Sequence, residues 1–142
     1  MQFHSEEWLN ACKEKMNSGD HDYMKKAGKL KIRWCNVITD CPGGTDRKEV
    51  WIIEKGKCLS FTFEEKPAPS DFRTEPFDKK VLDYRNTSDY YVLSELFRGE
   101  ITNMQAFMDP RYVVDGPKMR LLGIMDALDA WADIQKTVPT EV

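Results

Sequence analysis

The feature that most constrains this chain is a change of period at Lys29. From there Leu30, Ile32 and Trp34 alternate with Lys31 and Arg33, the signature of a strand with one wet face. "CPGGTD" (41–46) interrupts the alternation, and "EVWII" (49–53) resumes it. "EKGK" (54–57) is a second break, after which Leu59, Phe61 and Phe63 alternate with Ser60, Thr62 and Glu64. Three strands joined by short Gly-containing connections predict an antiparallel meander. Residues 65–76, rich in proline, predict a loop, and a fourth strand is predicted from about Phe77 to Arg85.

Helical signals flank this block. Ser5 is placed to cap a helix carrying Trp8, Leu9, Cys12 and Met16, and Asp20 to cap a short one that stops at Gly28. Downstream, Thr87 or Ser88 is expected to cap a helix with Tyr90, Leu93, Leu96 and Phe97, closed by Gly99. Thr102 and Gln105 form a capping box for a short helix ended by Pro110. "RYVVD" then predicts a strand returning to the sheet. A last helix, near Leu121 to Lys136, puts Leu121, Ile124, Met125, Leu128, Trp131 and Ala132 on one face and Asp126, Asp129 and Asp133 on the other. Strands in one block with helices segregated from them predict an α+β fold, and 142 residues fit a single domain, 1–142.

Several function classes are disfavoured. A net charge of −3 without clustered Lys and Arg argues against nucleic acid as partner. No run reaches the 18 or so apolar residues of a membrane span, and "MQFHSEEWLN" has no signal-peptide pattern, so a cytoplasmic protein without integral membrane insertion is expected. Cys12, Cys35, Cys41 and Cys58 are spaced by 23, 6 and 17 residues, which fits no zinc template. They predict reduced, mostly buried thiols, with Cys41 in a turn the most exposed. His4 and His21 both lie in the N-terminal helical region and are expected at the surface. No nucleophile elbow or triad assembles, and the two glycines of "DCPGGTD" suit a hairpin turn better than a phosphate nest. The expectation is a non-enzyme without metal or cofactor.

What stands out is soft apolar material. Met104, Met108, Met119 and Met125 fall within 22 residues, beside Phe107 and Tyr112. Methionine repacks easily, so such a set suits either ordinary core or the wall of a cavity for a flexible apolar guest.

The segment "GEITNMQAFM…RYVVDGPKMRLLGIMDAL" resembles the C-terminal half of sterol carrier protein (nonspecific lipid-transfer) domains, at Gly99, Glu100, Ile101, Thr102, Ala106, Phe107, Met108, Val113, Val114, Gly116 and the run into Leu128. The upstream meander and N-terminal helix follow that family's element order. Asp109-Pro110, Pro117 and the 65–76 loop depart from its pattern. The resemblance implies a five-stranded, mostly antiparallel sheet covered on one face by helices, with an apolar tunnel between them for a fatty acid, acyl-CoA or sterol-like ligand. On this reading Met104, Phe107, Met108, Met119, Met125, Leu128 and Trp131 line the helical side, and Phe61, Phe63, Tyr112 and Val114 the sheet side. Arg111, Lys118 and Arg120 are placed near a mouth. The alternative reading is a structural or accessory subunit that uses the same fold to form a homodimer or to assemble with a partner enzyme.

Overall fold

The computed structural model describes all 142 residues. Helices α1 (Glu6–Met16) and α2 (His21–Ala27) precede strands β1 (Ile32–Cys41), β2 (Thr45–Glu54) and β3 (Lys57–Pro67). A 3-10 turn (Asp71–Thr74) leads to β4 (Tyr84–Asp89), α3 (Tyr90–Phe97), α4 (Asn103–Met108), β5 (Tyr112–Asp115), α5 (Lys118–Gly123) and α6 (Met125–Gln135). The five strands form one sheet in the order β3-β2-β1-β4-β5. The meander is present as read, with antiparallel β1–β2 and β2–β3 pairs, and β4–β5 is antiparallel as well. The β1–β4 pair is parallel, so the sheet is mixed.

Local chemistry explains most boundaries. Ser5 Oγ accepts from the Trp8 amide, and Asp20 Oδ1 accepts from the Tyr23 amide. The capping box is closed in both directions, Gln105 N to Thr102 Oγ1 at 3.1 Å and Thr102 N to Gln105 Oε1 at 2.8 Å. Three expectations need correction. The fourth strand starts at Tyr84, because Asp78 instead turns the chain, accepting from the Lys80 amide on its side chain and from Val81 and Leu82 on its carbonyl. Thr87 and Ser88 belong to that strand, so α3 is capped by Asp89, whose Oδ1 takes the Val92 amide. The final helix is two helices, since Ile124 (φ −116°, ψ 15°) leaves helical geometry between Gly123 and Met125.

The sheet's inner face carries the core. Phe61, Trp51, Trp34 and Tyr84 are lateral neighbours across β3, β2, β1 and β4, an aromatic row beneath the helices. Gly116 follows β5 at φ +127°, and a Cβ there would lie 2.5 Å from Tyr84 Cδ1 and 2.6 Å from the Asp83 carbonyl oxygen. Only glycine fits that approach. The opposite face is covered locally by the 3-10 turn, where Phe72 packs with Cys35 and Val37. Asp46 anchors this cover, accepting from the Ser70 amide and hydroxyl and from Arg73, and the Arg73 guanidinium beside it holds its carboxyl well below the usual range.

All four cysteines are free and buried. Cys41 is not the exposed thiol expected from its place beside a turn: its side chain points into the core, Sγ 3.4 Å from the Ile38 carbonyl, and burial pushes the thiol up to about 12. No helix is long and apolar enough to cross a membrane.

Candidate functional site

Two adjoining spaces open beside β5. The outer one is a groove of about 520 Å³ between α4, β5 and α5, with nine hydrophobic residues among its twelve lining residues. That volume lies within the roughly 300–1,000 Å³ of ligand pockets. Met104, Phe107 and Met108 come from α4, Tyr112, Val113 and Val114 from β5, and Met119, Leu121 and Leu122 from α5. The break at Ile124 matters here, because it frees α5 to form a wall while α6 packs on the sheet. Met108 and Met119 are each 81% exposed and form the rim. Lys118 and Asp109 are the charged lining residues, and Asp109 is held by Arg111, whose Nη2 lies 2.8 Å from Asp109 Oδ2 and 2.9 Å from Glu95 Oε2.

The inner space is a smaller cavity of about 80 Å³ between the sheet, α3, α4 and α6. Leu93, Leu96, Phe97 and Leu128 line it from the helices, and Trp34 and Asn36 from β1. Phe107 and Tyr112, whose rings meet edge to face at 5.6 Å, line both spaces and so form the partition between them.

Beneath the inner cavity the sheet changes character. In the row next to the aromatic one, Phe63, Glu49, Asn36, Asn86 and Val114 are lateral neighbours from β3 to β5. Glu49 is fully buried and accepts three hydrogen bonds, from His4 Nδ1 at 2.9 Å, Asn36 Nδ2 at 2.7 Å and Trp51 Nε1 at 3.0 Å. Burial alone would push this carboxyl up. The His4 charge and the three hydrogen bonds outweigh it, and the net direction is down. Because an ionised carboxylate only accepts, Nδ1 of His4 carries the proton.

His4 is therefore not the surface residue expected from the sequence. It is buried between Phe3 and Trp8 (ring centroids 4.3 and 4.6 Å), lines the inner cavity and holds φ +56°. Arg47 fixes the N-terminal strap that carries it, donating to the Phe3 and His4 carbonyls at 3.2 and 3.1 Å and to Gln2 Oε1 at 2.7 Å. His21 is exposed.

Two buried polar atoms have no partner, Asn86 Oδ1 and Trp131 Nε1. An orphaned buried donor or acceptor costs about 1–3 kcal/mol, so the Trp131 N–H and the Asn86 oxygen each call for an explanation.

The structure distributes the sequence-derived wall residues unevenly. Met104, Phe107, Met108, Tyr112, Val114 and Met119 share the outer groove, and Leu128 and Trp131 join Phe107 and Tyr112 around the inner cavity. Phe61, Phe63 and Met125 line neither space; Phe61 packs on Trp51 at 5.6 Å. Of the three cations placed near a mouth, Lys118 lines the groove, whereas Arg111 is engaged by Glu95 and Asp109 and Arg120 lies outside the lining. His4, Asn36 and Glu49 were missed. Their signal was phase: Asn36 and Glu49 each sit two residues from a buried tryptophan, and so on the same face.

No family model matches the sequence, and no curated protein does. Solved structures do match in fold. A crystal structure of sterol carrier protein 2 superposes with a TM-score of 0.74 at 18% identity, covering 95% of this chain and 98% of that one. A conserved Thermus thermophilus protein, itself a candidate sterol carrier protein, gives 0.76 at 18% identity over 99% of this chain and 92% of its own. The sterol carrier protein domain 2 of Helicoverpa armigera gives 0.53 at 13% identity, covering 96% and 91%. The chain has the sterol carrier protein fold.

Proposed function

We propose that this protein binds and carries an apolar, chain-like ligand, lipid-like in character, without chemically altering it. The observation that carries the reading is the groove of α4, β5 and α5: about 520 Å³, predominantly apolar, and rimmed by two methionines that stand in solvent. Large flexible side chains left exposed around an apolar slot are costly unless something covers them. Methionine suits that use because it repacks around different shapes. The likeness in fold to sterol carrier protein 2 points the same way. Four unpaired thiols fit work in a reducing compartment.

Magnitudes are adequate. Burying ten to twelve methylenes contributes about 8–10 kcal/mol gross. After association and ordering costs, binding in the micromolar to millimolar range remains. The test is native mass spectrometry of the purified protein with solvent extraction, followed by titration with a fluorescent twelve-carbon alkyl probe. Met108→Asp/Met119→Asp, which places two charges on the exposed rim, is expected to weaken the probe at least about tenfold while leaving stability within about 0.5 kcal/mol. Unchanged probe affinity in that double variant, or no uptake by the wild-type protein, would overturn the assignment.

A further inference from the structure

Three of the four tryptophans satisfy their indole N–H within the chain: Trp8 to Thr140 Oγ1 at 2.9 Å, Trp34 to Asn36 Oδ1 at 2.7 Å, and Trp51 to Glu49 Oε1 at 3.0 Å. Trp131 does not. It is 6% exposed, lines the inner cavity, packs edge to face on both Trp34 and Trp51, and its Nε1–H meets no acceptor. Tyr112, 7% exposed, lines the same cavity; its hydroxyl takes part in no hydrogen bond within the chain, and burial pushes its pKa up, so it stays a neutral phenol. One small cavity is thus bordered by the buried, unpartnered indole N–H of Trp131 and by the neutral phenol hydroxyl of Tyr112, which no group of the chain takes up. Tyr112 and Phe107 also wall the outer groove, so a chain lying there has its end at the partition.

We propose that the inner cavity reads the end of the ligand, and that Trp131 Nε1–H and Tyr112 Oη–H donate to an uncharged oxygen head group such as an ester, ketone or alcohol. This rests on the reading that the groove takes an apolar chain. An oxygen with two lone pairs accepts both donors at once. The charge balance beneath the cavity selects against a free carboxylate. Glu49 is an anion there already, and its partner His4 is committed to it through Nδ1. The guanidinium of Arg47, the buried cation nearby, is taken up by Phe3, His4, Gln2 and Glu65. Lys136, the cation among the cavity's lining residues, is exposed at its edge. A second carboxylate at the floor would be desolvated beside the first, with the lining's cation, Lys136, out at the exposed edge.

The experiment compares four probes of equal chain length, the methyl ester, the primary alcohol, the carboxylic acid and the plain hydrocarbon, each displacing the fluorescent alkyl probe at pH 7. They are tested on the wild-type protein and on Trp131→Phe and Tyr112→Phe, with thermal unfolding as a check that each variant folds. The wild-type protein is expected to prefer the ester and alcohol over the acid by about tenfold. Trp131→Phe, which keeps an aromatic ring but loses the pyrrole part of the indole and its donor, is expected to weaken ester and alcohol about 2- to 10-fold and the hydrocarbon by less than twofold; Tyr112→Phe, which removes only the hydroxyl, should act in the same direction. An acid bound as tightly as the ester overturns the proposal, as does a Trp131→Phe variant that weakens all four probes alike or none. If the hydrocarbon binds but the head group is indifferent, the groove reading stands and this one falls. If no probe binds, both fall.

Discussion

Replacing Glu49 gives the sharpest test of how the site is built. Glu49→Ala removes the acceptor of three donors, His4 Nδ1, Asn36 Nδ2 and Trp51 Nε1, all buried. Each orphaned donor costs about 1–3 kcal/mol, so even at the low end the loss is about 3 kcal/mol, before any cavity term. That is a large share of the roughly 5–15 kcal/mol that holds a domain together. Glu49→Gln keeps the volume and one oxygen to accept from Asn36 and Trp51, but sets an amide N–H against the His4 proton. Its expected cost is about 1–2 kcal/mol. Urea unfolding followed by tryptophan fluorescence reads both, with a midpoint shift of about 1–3 M for the alanine variant if the m-value falls in the usual range. The carboxyl of Glu49 has a folded pKa below its unfolded one, so it stabilises the fold fully above the unfolded value of about 4.3 and loses that contribution as pH falls through the folded pKa. The gap between wild type and Glu49→Gln should therefore be wide at pH 6 and narrower at pH 3. An alanine variant within 1 kcal/mol of wild type, or a gap that widens in acid, would refute the account of Glu49 as a buried, ionised hub.

Two further outcomes follow from the core. Gly116→Ala must displace the Tyr84 ring or the Asp83 carbonyl and adopt a strained backbone at φ +127°, and is expected to lower stability by about 1–3 kcal/mol in the same urea assay. The thiols of Cys35 and Cys58 are pushed up to about 11 and that of Cys41 to about 12, in each case chiefly by burial. Iodoacetamide at pH 8 should thus label essentially none of the four cysteines in the native protein and all of them after unfolding, as counted by intact mass.

The parts of this fold governed by local rules were legible from the residues. Ser5, Asp20 and Thr102 announce their helices because a side-chain oxygen three positions ahead of an amide is a local bond. The meander was equally plain from its period. β4 was not, because "YRNTSD" puts Asn86 and Ser88 on its buried face, where a hydropathy pattern expects apolar residues. Its parallel pairing with β1 brings together residues 50 positions apart, which no local signal records. The same cause hid His4. Its environment is made by β2 and by the termini, where the Phe3 amide donates to the Glu141 carbonyl and the Glu141 amide to the Met1 carbonyl. The methionine-rich wall was visible as composition; its division into a groove and a cavity depends on the break at Ile124 and on the Phe107–Tyr112 pair.

These observations explain why a void lies where it does. Over the row Phe61, Trp51, Trp34 and Tyr84, α6 closes tightly, with Trp131 edge-on to two of the rings at 5.5 and 6.2 Å. One row further along β1, the sheet presents Glu49, Asn36 and Asn86 instead. Apolar side chains from α3 and α6 gain little by pressing onto polar groups, and would strip Asn86 Oδ1, which has no partner in the chain, of any polar neighbour. Leu93, Leu96, Phe97 and Leu128 stand around that row and leave the cavity of about 80 Å³ among them. The polar row thus acts as a spacer. Replacing Asn36 and Glu49 together with leucines of similar reach is expected to fill the space, to lower stability by about 3 kcal/mol or more because the buried donors His4 Nδ1, Trp34 Nε1 and Trp51 Nε1 lose their acceptors, and to abolish discrimination between ester and hydrocarbon probes while leaving the outer groove's uptake of alkyl chains in place. A double variant that folds and still prefers the ester would show that head-group recognition does not depend on this cavity.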